Sequence, residues 1–468
     1  MDWDQQTKKY QSSLLDDLTK LLKIKSVRNE NEISKEYPVS KGPTKALDYF
    51  LQLAKRDGFQ VYKVDNTVGY IEYGNLQSTE TLAILAHVDV MPAGKEWDTD
   101  PFIPQIKNDR LYARGALDDK GPGMAAYYGL KIVKDLKLPL KRKIHFVIGT
   151  DEESNWLGMN NYLKKVGEPT LGFSPDAEFP LINGEKGICT FTVSFPQQEK
   201  TTSGSKIIKF ISGERVNMVP AHAEAIIQSL FLSDIEKQFN SFVQSNPIDG
   251  FVKQINDQKI LLHVIGKAAH GAFPETGINA GTYLAKFLST IVDVDLINFI
   301  SQKLFNDNEA QKLSLAVQDD VMGKLSINIG IINYNEHQAK VHLNFRYPRN
   351  ISINEISKQL QSECDQFNGQ INLDINKDPH YVDSHDELVQ TLLDVYRKQC
   401  NNPQAQGLVV GGGTYGRLLK RGVAYGALFP NAENVMHQPN EYIDLPYLYK
   451  AVSIYAEAIA RLGQINEV

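Results

Sequence analysis

"LAILAHVDVMPAG", residues Leu82–Gly94, begins as an unbroken apolar run and reads as a buried strand. His87 and Asp89 nevertheless stand at its end. Imidazole and carboxylate are costly to bury without partners, so partners are expected. In open α/β sheets such groups collect at the carboxyl ends of strands. The pattern recurs along the chain. "KIHFVIGTDEE" runs into Asp151, Glu152 and Glu153, and "LGFSPDAE" into Asp176 and Glu178. "GALDDKG" brings Asp118 and Asp119, and "NVMHQPNE" brings His437.

Taken singly, each motif has an ordinary reading. His-x-Asp can be a capping pair, Asp-Asp-Lys a solvated turn, and Asp-Glu-Glu a helix start favoured by the macrodipole. Their joint occurrence after strands points elsewhere. Carboxylates gathered at one sheet edge repel, and a bound cation is the simplest remedy. Two histidines and several carboxylates without a thiolate suit zinc, manganese or cobalt.

Working outward, strands alternate with helices from "TKALDYFLQLAKRDG" to "MNNYLKKV". That alternation predicts an α/β domain, a mixed sheet flanked by helices. The style changes after about Glu185. "GICTFTVSF", "SKIIKFISG", the hairpin "KLSINIGIINYNEHQAKVHLNFRYP" and the helix "SINEISKQLQSECDQF" predict an inserted α+β domain of ferredoxin-like character. The first style resumes at "SHDELVQTLLDVYRKQC". The expected division is 1–185 and 382–468 for the α/β domain and 186–381 for the insert.

Composition excludes several classes. A net charge of -6, with Lys and Arg scattered, gives no reason to expect nucleic acid or an anionic membrane as partner. No run approaches the ~18 apolar residues of a membrane span. Cys189, Cys364 and Cys400 are far apart and form no CxxC, which argues against disulfides and a thiolate metal site. The polar start "MDWDQQTKKYQSS" lacks a secretory h-region, so a cytoplasmic protein is expected.

The set "HVDVMPAG", "ARGALDDKGP", "TDEESNW", "SPDAEFP", "AAHGAFPETGINA", "GGGTYGR" and "MHQPNE" resembles the dinuclear zinc metallopeptidase family of carnosinases, aminoacylases, carboxypeptidase G, acetylornithine deacetylase and succinyl-diaminopimelate desuccinylase. Within it the likeness is to bacterial dipeptidases of the PepV type. The resemblance implies a zinc-exopeptidase-like catalytic domain with the insert as lid, and two metal ions bridged by a carboxylate and a water. His87 and Asp176 would bind one ion, Glu153 and His437 the other, with Asp118 as the bridge, followed by a cis peptide bond. Glu152 resembles the general base and Asp89 the acid that orients His87.

On the lid, His270 resembles the oxyanion-hole histidine and Asn217 a substrate contact. Arg346 resembles the arginine that grips the substrate carboxylate, with Arg349 close enough to be the true one. "GGGTYGR" lacks the Lys-Ser/Thr of a phosphate loop. The family places this turn, with Gly412 and Thr414, beside the substrate. The implied activity is hydrolysis of dipeptides with free termini, the acidic cluster of Asp119, Glu152 and Asp176 attracting the amine. Deacylation of N-acyl amino acids is the alternative, and a non-catalytic peptide- or metal-binding relic a remote one. The insert is nearly twice the family's usual lid, as in the PepV type, which implies a monomer.

Overall fold

The computed structural model of the chain describes residues 1–196 and 204–464. It divides into two compact units. One comprises Met1–Gly184, Tyr381–Val409 and Gly413–Val468; the other comprises Glu185–His380 with Val410–Gly412. Among the described residues no helix is long and apolar enough to cross a membrane.

The first unit is built on a mixed sheet. Thr81–His87 lies inside it, parallel to Lys143–Gly149 on one side and to Leu171–Ser174 on the other. Gly422–Ala424 continues the parallel set, while Val68–Gly74 and Gln60–Val64 add antiparallel strands at one edge. Every residue from Leu82 to His87 is buried, because helices cover both faces of such a sheet and leave no solvated side. The register sets His87 against Gly149. Two neighbouring strands therefore end at one level, and the loops that follow carry the acidic residues.

Two helices, Lys120–Asp135 and Leu445–Gln464, are buried nearly all round. They cross at Gly129, where an added Cβ would lie 2.9 Å from the Ala456 amide and 3.0 Å from Tyr455 Cβ. Glycine there lets the two backbones approach. The short strand expected in "LYARG", Arg110–Tyr112, joins Gln105–Lys107 and Tyr442–Asp444 in a separate three-stranded sheet. The glycine-rich "GGGTYGR" leads into a single 3₁₀ turn, Tyr415–Leu418, begun by the Thr414 hydroxyl accepting from the Gly416 amide.

The second unit is α+β. Its antiparallel sheet orders eight described strands as Asp249–Asn256, Lys259–Ile265, His222–Ser229, Ser205–Ser212, Ser326–Asn335, Gln338–Tyr347, Gly187–Ser194 and Gln370–Lys377. Two four-stranded halves are visible. One is contiguous in sequence, from 205 to 265. The other joins 187–194 to three strands beyond 325, in the spatial order second, third, first, fourth, as in a ferredoxin-like sandwich. Burial alternates strictly along His222–Ser229, the pattern of a sheet with one covered face. The helix Ile353–Asp365 starts at a capping box of Ser352 and Glu355. The run "QKILLHVIGKAAHGAF" does not stay one strand: it ends at Ile265, and Ala269–His270 forms its own short ladder with Met218–Val219.

Candidate metal centre

Six side chains of the first unit converge as two triads. His87, Glu152 and Asp176 offer one set of donor atoms, and Asp118, Glu153 and His437 the other; within each, the atoms lie within 4.8 Å of one another. His87 ends its strand and is 1% exposed. Glu152 and Glu153 follow the strand that ends at Gly149, and Asp176 follows the one that ends at Ser174. Asp118 precedes the helix Lys120–Asp135, joined to Asp119 by a cis peptide bond. His437 stands in a loop with a positive φ of 64°.

Asp118 lies between the triads. Its Oδ1 is 3.2 Å from His87 Nε2, and its Oδ2 is 2.8 Å from His437 Nε2. His87 Nε2 is also 3.5 Å from Asp176, and His437 Nε2 is 3.0 Å from Glu153. His87 Nε2 and Asp118 Oδ1 are buried and make no hydrogen bond. Buried polar atoms left so are rare. Here they converge with carboxylate oxygens of both triads, as cation ligands do.

The charges agree. Burial and the nearby Asp176 push the Glu152 carboxyl well above its usual range. Burial and Asp118 push Glu153 up to about 7 and Asp176 to about 6. Burial opposes ionisation of Asp118 too, but the His437 and His87 imidazoles hold it below the usual range. His437, although partly desolvated, is raised to about 11 by Asp118 and Glu153. The cluster is short of positive charge, and imidazole with carboxylate is a donor set for zinc, manganese or cobalt.

Asp89 supports both sides. Its Oδ1 is 3.3 Å from His87 Nδ1 and accepts the Glu152 amide at 3.1 Å; its Oδ2 accepts the Glu153 amide at 3.1 Å. The grip fixes two consecutive residues whose side chains then go to different triads. Trp156 fastens the same turn by donating to the Glu152 carbonyl at 2.7 Å. Asp119 is fully buried, and its Oδ2 accepts the His87 amide at 3.0 Å. Its Oδ1 is buried and makes no hydrogen bond.

The second unit holds His270, Asn217, Arg346, Arg349 and Gly412, while Thr414 belongs to the first. His270 pairs with Met218 across the short ladder, and the Gly271 amide donates to the Asn217 carbonyl at 2.7 Å. A Cβ on Gly271 would lie 2.9 Å from that carbonyl carbon, so only glycine lets the two segments meet. The Ala272 amide donates to His270 Nδ1 at 3.3 Å, which makes Nε2 the protonated nitrogen of the neutral ring. Asn328 donates to the carbonyls of Val216 and Met218, bracketing Asn217. Arg346 is buried on its strand, and its Cγ would lie 3.6 Å from a Cβ at Gly411. Arg349 instead pairs with Asp319 at 3.1 Å. Gly412 has open space where a Cβ would be.

Sequence reasoning passed over Arg114, Glu441, Asn328 and Trp156. Arg114 and Glu441 stood inside the quoted motifs, four residues before Asp118 and four after His437. Their even spacing from the candidate ligands was the available signal.

Comparison with known proteins shows the family and the fold. The family model described as peptidase family M20/M25/M40 matches residues 83–461. A Staphylococcus aureus protein named "Putative dipeptidase" is 42% identical over 469 residues, covering 98% of this chain and 99% of its own. The solved structure of the di-peptidase Dug1p from Saccharomyces cerevisiae aligns with a TM-score of 0.60 at 14% identity, over 100% of this chain and 99% of that one. Human carnosine dipeptidase 1 aligns with a TM-score of 0.59 at 14% identity, over 99% and 98%.

Proposed function

The chain belongs to peptidase family M20/M25/M40 and is a hydrolase of peptide bonds, and from that premise we propose a two-metal dipeptidase of the PepV type acting on dipeptides with free termini. The observation that carries the reading is Asp118, whose two oxygens face the histidines of the two triads at 3.2 and 2.8 Å. His87, Asp118 and Asp176 would hold one divalent ion, and Asp118, Glu153 and His437 the other, zinc before manganese or cobalt. The ions would acidify an attacking water and polarise the scissile carbonyl.

The protein's own groups do the rest. Glu152, in the triad of His87 and Asp176 but spared as a ligand, takes the proton from the water and returns it to the leaving amine. The Asp89 carboxylate keeps it in place through its amide, and the Asp89 carbonyl, 3.0 Å from His87 Nδ1, holds the tautomer of His87 together with that carboxylate at 3.3 Å. His270, protonated at Nε2, donates to the developing oxyanion, with Asn217 beside it. Arg346 receives the substrate carboxylate; the pairing of Arg349 with Asp319 supports that choice. Asp119, Glu152 and Asp176 attract the free amine, with Gly412 and Thr414 beside the substrate. The two four-stranded halves within one chain support a monomer in which His270 acts in cis.

The test is a panel of dipeptides, tripeptides and N-acyl amino acids, assayed with zinc, manganese or cobalt after chelation. Dipeptides are expected to be cleaved fastest. Faster cleavage of N-acyl amino acids would replace the reading with a deacylase, and no turnover with any metal would leave a binding relic.

A further inference from the structure

A buried ion pair spans the loops that carry Asp118 and His437. Arg114 is 1% exposed and Glu441 0%, and Arg114 Nη1 donates to Glu441 Oε2 at 2.6 Å. Burying two charges costs more than an apolar pair of the same size would, unless their remaining bonds are satisfied. The direction of those bonds is informative. Glu441 accepts the amides of Gly115, Leu117 and Asp118 at 2.8–3.1 Å. Arg114 Nη2 donates to the carbonyl of His437 at 3.1 Å and to that of Pro92 at 3.3 Å. The Ala113 amide returns a bond to the Glu441 carbonyl at 3.1 Å. The pair thus fastens the backbone beside two ligands of one triad and the segment just after Asp89.

We infer that Arg114 and Glu441 are positioning residues, a clamp that sets the spacing of Asp118 from His437 and so the affinity of the second metal site. The inference rests on the two-metal reading above. His437 needs such a device. It is half-exposed, it stands in a loop at positive φ, and no strand ladder fixes it. Asp118 likewise precedes its helix, and its amide is held by Glu441. His87, by contrast, is fixed in a strand ladder. A loosened clamp therefore weakens one site much more than the other.

The experiment titrates zinc into the metal-stripped full-length chain against a chromophoric chelator and follows unfolding of the metal-free protein in parallel. The wild type is expected to bind two zinc ions. E441Q, which turns an amide N–H toward Arg114 or the loop amides, is expected to weaken the second zinc by about 10–100-fold, the usual effect of losing a group that orients a ligand, and the first by less. R114K keeps the charge but cannot span Glu441 and the His437 carbonyl together, so it is expected to weaken the same zinc. It also serves where E441Q fails to fold. Wild-type affinities for both ions in either folded variant would overturn the clamp, even if the metal-free protein were less stable. Equal weakening of both ions would overturn it too. A wild-type chain that does not bind two zinc ions would remove the two-metal reading and the clamp with it.

Discussion

The two triads are held in different ways. His87 lies between parallel strands of a mixed sheet, with a neighbour strand in register at Gly149 and its ring nitrogens facing Asp89, Asp118 and Asp176. Glu152 and Asp176 leave from the ends of the adjoining strands. Asp118 and His437 belong to no strand and depend on side chains that grip backbone. Glu153, the third member, hangs from the Asp89 carboxylate. One triad is a by-product of the sheet; the other is assembled from loops. The lesson is that a sheet edge supplies half of such a centre, and buried charged residues must supply the rest.

The largest effects should separate the two histidines. Replacing either His87 or His437 with Ala should cost a metal ion, read as stoichiometry, and almost all activity. Stability should split them. His87→Ala strips partners from buried carboxylates, a loss of roughly 1–3 kcal/mol in the metal-free protein. His437→Ala also strips a partner from Asp118 and from Glu153, but its ring is half-exposed, so water can replace part of what is lost and the cost should be smaller. Equal losses in denaturant unfolding would break the distinction between sheet-held and loop-held ligands. Next, Glu152→Gln should lower kcat by about 10²–10⁴ while two ions stay bound. An ion lost there would make Glu152 a ligand rather than the base.

Asp89 serves both triads, so Asp89→Asn should keep much of the metal and lower the rate by about 10–100-fold. The amide can accept through one oxygen only, so one of the Glu152 and Glu153 amides loses its partner. Loss of only one ion with unchanged turnover of the rest would show that the carboxylate serves a single side. Arg349→Ala should do least. Arg349 is half-exposed, and Asp319 keeps the Val321 and Met322 amides as partners, so the pair is worth ~0–1 kcal/mol and KM should hold, whereas Arg346→Ala should raise KM. A raised KM for Arg349→Ala would reverse the assignment of the two arginines.

The sequence announced the sheet-held triad more fully than the loop-held one. An oily run ending in His-x-Asp states its own geometry, because strand burial and strand end are local properties. The α/β architecture and the hairpin at 326–347 follow from the same local patterning. The grip of Asp89 on the Glu152 and Glu153 amides could not be read, since it joins residues more than sixty positions apart through backbone donors. The same holds for Glu441 and the loop of Asp118. The choice between Arg346 and Arg349 turned on Asp319, thirty residues upstream. Nor could the sequence show that one oxygen of Asp119 accepts the His87 amide at 3.0 Å while the other is buried without a hydrogen bond.

The two halves of the eight-stranded sheet also differ in how the chain must close to make them. Strands from 205 to 265 pair among themselves within about sixty residues, so these ladders close within one contiguous segment. The other half pairs Gly187 with Tyr347, across the whole of the first. Closing a long loop costs chain entropy before any contact repays it, and non-local pairing slows folding. During synthesis the contiguous half leaves the ribosome complete, while the strand Gly187–Ser194 must wait for more than a hundred further residues before its partner exists. The strand Ile182–Glu185 of the metal-bearing sheet waits longer still, because every described strand it pairs with lies at His380 or beyond, so each unit offers a chaperone an unpaired strand until its last segments emerge.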